Sequence, residues 1–541
     1  VSKLEDYRKT ELPLPETYVA WQVFGAGFEN LGREGKPQTL PLRPPKPDEV
    51  LLRVDALGLC LSDIKIINQG SGHPRLRGRD LATDPTVLGH EAAVTVVSVG
   101  DRWREQFKCG DRFIVQADIY FHGLGYAFGY LIPGGMAQYT YLDERALAGD
   151  EGCYLLPVKP ETGYSESALA EPWACVEMSY NLHDRTVPGD ARNRMLIMTD
   201  DDPADYLEAN PHATVAPRQI EGLDDELYDD VVITQPTPEI VNELAPRMKK
   251  GGAMFLLGKP EKDGPVSLDI GRIHYENLRF YGGADGIEGL DEIHKRHDLM
   301  PGGSALFIGA GGPMGQMHVQ RSLEIAQGPQ VVAVTDLDRS RLDHIEARFG
   351  ELAASKGIEL KTFAPEQFGS QAEMDEAVRA VSPKGFSDVV VLAPVPALVQ
   401  SAMGFAADNG FVNVFAGLGI GSVAQIRLSD LCRGIKIVGS SGSRISDLRK
   451  VLKMVEAGEL NTNLSVAAIG GLNAAREGLE GVKAARFPGK TVIYPHILDL
   501  PLMGLDEIPE RLPEIKDKLT AQGAWTKDAE AELLERHLNE A

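Results

Sequence analysis

Cysteine is scarce in this sequence. Its 541 residues hold five, Cys60, Cys109, Cys153, Cys175 and Cys432, too few and too scattered for a disulfide framework. A reducing compartment is expected, the cytoplasm in particular. Long hydrophobic runs are missing too: no stretch approaches the roughly 18 apolar residues of a transmembrane helix. Basic charge is in deficit, with 55 Lys and Arg against 79 Asp and Glu and a formal net charge of −24. That excess of acid argues against nucleic acid and anionic membrane surfaces as partners, while a local basic pocket could still hold a phosphorylated metabolite. The opening residues Val1-Ser2-Lys3-Leu4-Glu5-Asp6 contain no apolar signal core, and a start at Val rather than Met leaves room for residues upstream. What is present is ordinary for a globular protein: 43% hydrophobic and 25% charged residues, in a chain long enough for two or more domains.

Two textures divide the chain. Residues 15–160 read as β-rich, with short runs such as Val50-Leu51-Leu52-Arg53-Val54 and Ala92-Ala93-Val94-Thr95-Val96-Val97 broken by Gly, Pro and Asp turns. From about 190 to 445, apolar strands alternate with helical stretches, the signature of a parallel doubly wound sheet. Beyond Pro501, Leu505, Ile508, Leu512, Ile515 and Leu519 recur about once per helical turn and predict a docking helix.

The α/β part contains an internal repeat. Asp230-Val231-Val232-Ile233-Thr234-Gln235-Pro236-Thr237-Pro238 aligns with Asp388-Val389-Val390-Val391-Leu392-Ala393-Pro394-Val395-Pro396 at an offset of 158. Gly252 meets Gly410 at the same offset, and Leu278–Gly282 meets Ile435–Gly439 one residue out of register. Upstream, Met195–Met198 matches Ala305–Ile308 at an offset of only 110, so the first copy is about 48 residues shorter, and the loss lies in its front half.

The second copy opens on Ala305-Leu306-Phe307-Ile308-Gly309-Ala310-Gly311-Gly312-Pro313-Met314-Gly315. Glycines between a strand and a helix let backbone N–H groups approach a pyrophosphate at the helix N-terminus, although Gly309, Gly311 and Gly315 are spaced one residue wider than G-x-G-x-x-G. The next strand ends in Asp336, 21 residues after Gly315, where a carboxylate can accept from a ribose 2′-hydroxyl and repel a 2′-phosphate. NAD is therefore expected over NADP, with Arg339 and Arg341 nearby keeping NADP open. The corresponding point of the first copy reads Thr199-Asp200-Asp201-Asp202-Pro203. Three acids and no glycine would repel a pyrophosphate, so that copy is expected to be a non-binding relic with a structural or interface role.

Three segments of the N-terminal half offer metal-binding side chains. These are Gly58-Leu59-Cys60-Leu61-Ser62-Asp63, Gly89-His90-Glu91 and Ala170-Glu171-Pro172. Cys, His and Glu all bind zinc, and three protein ligands with one open position make a catalytic site. Each also has an ordinary reading: Cys60 as a small core residue, His90 as a satisfied turn histidine, Glu171 as a solvated helix-end acid.

Taken together, these segments resemble the medium-chain dehydrogenase/reductase family of zinc-dependent alcohol and polyol dehydrogenases. Residues 58–63 are similar to its G-x-C-x-S-D, and Pro85–Glu91 to its P-x-x-x-G-H-E. Ala170-Glu171-Pro172 resembles the sorbitol-dehydrogenase branch, and Ala485–Ile493 the closing helix and strand. The resemblance implies a GroES-like catalytic domain over residues 1–185 and 446–500, an NAD-binding Rossmann domain over 301–445, and an active site in the cleft between them. A degenerate Rossmann-like repeat would be inserted at 186–300, with a helical extension at 501–541. It further implies that Cys60 and His90 bind one catalytic zinc, with Glu171 as third ligand, directly or through water, and Glu91 as alternative or second-shell ligand. Ser62 would relay a proton, Asp63 would support the ligands, and Gly309, Gly311, Gly312, Pro313, Met314, Gly315, Asp336 and Arg341 would hold NAD. Residues 117–126 lack the cysteines of the family's structural zinc lobe, so no structural zinc is expected. The inserted repeat and the glycine loop look closest to the L-sorbose-1-phosphate reductase branch.

The expected activity is hydride transfer between NAD(H) and a secondary alcohol or ketone of a polyol, sugar or sugar phosphate, by a homodimer or homotetramer. A carboxylate in place of a second thiolate suits polyhydroxylated substrates. The alternatives are a sugar epimerase or lyase that retains its NAD, and a non-catalytic NAD-binding protein.

Overall fold

The computed structural model describes residues 2–10, 14–181, 194–223, 226–283, 285–292, 296 and 298–538. The chain forms two compact units, Val1–Glu177 with Gly442–Ala541, and Met178–Ser441. The expected boundary at 185/186 lies outside the described residues. The return to the first unit comes at Gly442, four residues before the expected one.

The first unit is built on an eight-stranded sheet. Its centre is Val50–Gly58, an apolar run buried at every position, which pairs antiparallel with Glu91–Val99 on one side. Tyr139–Leu142 and the late strand Lys490–Tyr494 share the other side. Removing each such Val, Leu or Ile from water stabilises the fold by about 1.5–3 kcal/mol. The sheet therefore fixes the backbone from which the candidate ligands project.

The segment after Pro501 packs into this unit, but not as one helix. Leu505, Ile508, Leu512 and Ile515 are buried in a cluster with Leu4, Tyr7 and Trp525. Their backbone breaks into the turn Leu505–Glu507, the short helix Ile508–Arg511 and the turn Lys516–Lys518. Leu512 precedes Pro513, whose ring disfavours helical backbone in the residue before it, and Leu512 has φ −135° and ψ 63°. A true helix follows at Lys527–His537, capped by Thr526. Buried Glu530 on it accepts hydrogen bonds from Tyr164 N–H, Ser165 N–H and the Tyr494 hydroxyl.

The second unit carries one eleven-stranded sheet. From one edge the strands are Thr214–Ala216, Met195–Met198, Tyr228–Thr234, Met248–Leu257 and Arg279–Gly282. Then come Lys436–Gly439, Ala406–Val414, Phe386–Val391, Ser304–Ile308, Val331–Thr335 and Glu359–Phe363. Every pairing is parallel except that of Arg279–Gly282 with Lys436–Gly439. One apolar cluster runs along the whole sheet, from Leu196 and Val231 to Val389 and Ile437. The segments expected as two domains, 186–300 and 301–445, thus share one core. Pro238 and Pro396 each open a helix at its first turn, where proline's missing N–H costs nothing. Among the described residues, no helix is long and apolar enough to cross a membrane.

Candidate metal centre and nucleotide loop

Cys60 lies at the end of the central strand and caps the helix Leu61–Gln69. Asp63, in the first turn of that helix, is fully buried and ties two loops together. Its Oδ2 accepts from Cys60 N–H (3.1 Å) and its Oδ1 from Gly89 N–H (3.1 Å). Gly89 can present that N–H because its φ is +90°, where other residues are strained, and it delivers His90 and Glu91 to the start of the neighbouring strand. Gly58 pairs with Glu91 across the sheet, and a Cβ on Gly58 would run into the Glu91 carboxylate. Gly58 thus makes room for Glu91, while a Cβ on Gly89 would meet the Leu57 side chain and the Met136 backbone.

The result is a cluster in which ligand atoms of Cys60, His90 and Glu91 lie within 4.8 Å of one another. His90 and Glu91 are buried, and His90 Nδ1 and Glu91 Oε2 make no hydrogen bond. His90 Nδ1 stands 3.4 Å from Asp63 Oδ1, near enough for charge attraction though not bonded to it. Burial opposes a charge on His90, but the Asp63 and Cys60 side chains outweigh it and raise its pKa well above the usual value. Buried polar atoms are rarely left unpaired, and a cysteine, a histidine and a carboxylate that give up their protons to a metal suit zinc.

Glu171 lies outside that trio but faces it. The sequence reading ranked Glu171 ahead of Glu91; the carboxylate in mutual reach of Cys60 and His90 is that of Glu91. Glu171 is only 6% exposed, not a solvated helix end. Burial pushes its pKa up to about 7, His90 pulling it down and Glu91 pushing it further up. Cys175, one helical turn on, is likewise raised, first by burial and then by Glu171, Asp118, Cys60 and Glu91. Ser62 Oγ is 3.5 Å from Cys60 Sγ. The Tyr130 ring stands 6.0 Å from that of His90 and 5.9 Å from that of His73, and the Arg75 guanidinium, ion-paired to Asp118, lies over it. Residues 120–125 form a small hairpin whose His122 and Gly123 N–H groups donate to Asp150.

In the second unit, Ser304–Ile308 runs into Gly309, which turns at φ +72°. Gly312 caps the helix Pro313–Glu324, with Pro313 in its first turn and Met314 next. Gly311 N–H donates to Asp336 Oδ2 (2.7 Å), and a Cβ there would strike that carboxylate and Arg341. Gly315 brings the helix against the Ala310 backbone. Arg341 pairs with Asp338 (3.5 Å), and Arg339 with Asp343 and Glu346. At the corresponding place in the other half, Thr199 Oγ1 accepts from Asp201 N–H, and Asp200 is held by Arg218.

Residues 46–149, which contain the three clustered ligands, match the family description "Alcohol dehydrogenase GroES-like domain". The chain is also 25% identical over 524 residues to an L-sorbose 1-phosphate reductase of Klebsiella pneumoniae, covering 96% of this chain and 98% of that protein. A mannitol-1-phosphate 5-dehydrogenase of Aliivibrio fischeri is 25% identical over 522 residues, 92% of this chain and 94% of its own. A 2R,3R-butanediol dehydrogenase structure from Bacillus subtilis shares the fold, with a TM-score of 0.54 at 16% identity, covering 88% of this chain and 99% of that one. Together these likenesses support the resemblance to the medium-chain dehydrogenase/reductase family that the motifs carry.

The chain is an oxidoreductase related to polyol and sugar-phosphate dehydrogenases. One site residue escaped the sequence reading. Lys490 Nζ, fully buried, donates to Glu91 Oε1 (2.5 Å) and Leu59 O (2.8 Å). Burial works against its charge, but Glu91 and Cys60 raise its pKa. The sequence signal was there, in Gly489-Lys490-Thr491 of the closing strand. Only the pairing of Val492 with Gly58 brings that lysine behind Glu91.

Proposed function

We propose that this chain is a zinc-dependent dehydrogenase or reductase. It would transfer a hydride between NAD(H) and a secondary alcohol or ketone of a polyol, sugar or sugar phosphate. The observation that carries the reading is the convergence of Cys60, His90 and Glu91, two of them with unpaired buried ligand atoms. Cys60, His90 and Glu91 would hold the zinc, with Glu171 positioned to join them directly or through water. Bound there, the metal supplies Lewis-acid polarisation of the substrate oxygen.

The chain's own residues perform the rest. Asp63 keeps the Cys60 and Gly89 loops in register, and Lys490 holds Glu91 by its Oε1. Glu171, with a pKa near 7, can hold or release a proton at neutral pH, and the Ser62 hydroxyl offers a path for it. The backbone N–H groups of Gly312, Met314 and Gly315 would bind the pyrophosphate, and Asp336 would accept from the ribose and disfavour a 2′-phosphate. A phosphorylated substrate is supported by the two full-length relatives' names.

The test is a screen of polyols, aldoses and their phosphates, following NADH absorbance with zinc measured per chain. Substrate-dependent NADH turnover with about one zinc per chain is expected. A zinc-free chain that binds NAD and turns over none of them would refute the reading.

A further inference from the structure

The one antiparallel seam in the eleven-stranded sheet joins each half of the internal repeat to its own counterpart. Phe280 aligns with Ile437 in the repeat, and the two are cross-strand partners. Ser267 and Gln425, 158 residues apart and equivalent at the main repeat offset, are partners in a second antiparallel ladder and hydrogen-bond through their side chains. A strand that pairs with its equivalent at equivalent residues lies across a two-fold axis.

The contacts around the seam are reciprocal in the same sense. Ile270 N–H donates to Ser422 O (2.9 Å), and Leu428 N–H donates to Gly264 O (2.9 Å). Leu428 is the counterpart of Ile270, and Ser422 that of Gly264. Gly282 leaves room for the backbone of Leu431, while its counterpart Gly439 leaves room for the backbone of Ile273, the counterpart of Leu431. Residue i meeting j′ while i′ meets j defines an isologous contact, the kind two identical chains make around a two-fold axis. Here both sides belong to one polypeptide.

We propose that residues 195–282 are an internal stand-in for a second copy of the nucleotide-binding sheet. Without them, Lys436–Gly439 would be an open edge and Val423–Arg427 would lack its ladder, an invitation to pair with another molecule. The repeat closes that edge from within. It preserves the strands and turns that reach the seam and has shortened the front half, which lies away from it. Its loop at 199–203 carries three aspartates and no glycine, with Asp200 held by Arg218, so the stand-in keeps the interface and not the ligand site. The seam is therefore closed to a second chain, and the homodimer or homotetramer expected from the sequence would have to use another face.

Ser267 and Gln425 are exposed, which gives a direct test on the full chain. Ser267→Cys, Gln425→Cys and the double variant are treated with a short bismaleimide, run on denaturing gels and peptide-mapped, with retained secondary structure checked by circular dichroism. The double variant is expected to form a 267–425 bridge within one chain, at unchanged mass. Neither single variant is expected to give a covalent dimer through its new thiol. A dimer bridged 267–267 or 425–425 in a single variant would overturn the proposal. So would a 267–425 bridge between two chains, or a folded double variant with no bridge at all.

Discussion

Ser304–Ile308 and Met195–Met198 are each the fourth strand from the antiparallel seam, yet they end in opposite chemistry. The first runs into Gly309, Gly311 and Gly312 and then a twelve-residue helix; the second runs into Thr199, three aspartates and the six-residue helix Ala204–Ala209. Both strands are buried and apolar, and both contribute to the shared core. Burial has kept the frame alike in the two halves, while the loop, which contributes little to the core, has diverged without cost to the fold.

The largest effect that bears on this comparison comes from outside it. Cys60→Ser should abolish zinc retention and reduce turnover by on the order of a thousandfold, while NADH binding by fluorescence titration stays unchanged. If nucleotide affinity fell as well, binding could not be credited to the second half of the sheet alone. Next, Gly311→Ala places a Cβ against the Asp336 carboxylate and should weaken NADH by at least about tenfold. Asp201→Ala in the other half should change affinity by less than about twofold, because that loop has no pyrophosphate cradle. Equal responses would erase the distinction between the halves.

Asp336→Asn sharpens the same contrast. Losing the charge while keeping an acceptor for Gly311 N–H should shift the NAD-to-NADP preference in kcat/KM by about tenfold toward NADP. The smallest effect concerns Glu324, at the end of the helix that only the second half builds at full length. Burial raises its pKa from 4.5 to about 7, so the folded state holds a proton that the unfolded state has lost between those values. Stability should accordingly fall as pH rises from about 4.5 to about 7, and Glu324→Gln should recover about 1 kcal/mol at pH 8 but nothing at pH 4 in denaturant melts.

Local features were legible in the sequence. Gly309–Gly315 and Asp336 could be read because strand, turn, helix and the following strand are neighbours along the chain. Cys60 and His90 stood out for the same reason, each inside a short motif. Which carboxylate lies in mutual reach of Cys60 and His90 was not legible: it depends on Gly58 pairing with Glu91, and on Lys490, 399 residues further on, taking one of its oxygens. The apolar period of 505–519 identified buried positions correctly, but Pro513 breaks the backbone that the period suggested. The repeat was visible as an offset, whereas the pairing of its halves with each other is a long-range choice of edge that no local pattern encodes.

Zinc X-ray absorption on the purified chain tests the central claim most directly. One sulfur at about 2.3 Å with nitrogen and oxygen at about 2.0 Å is the shell expected from Cys60, His90 and a glutamate. A chain that binds no zinc, or a zinc surrounded by two or more sulfurs with Cys175 drawn in, would contradict it.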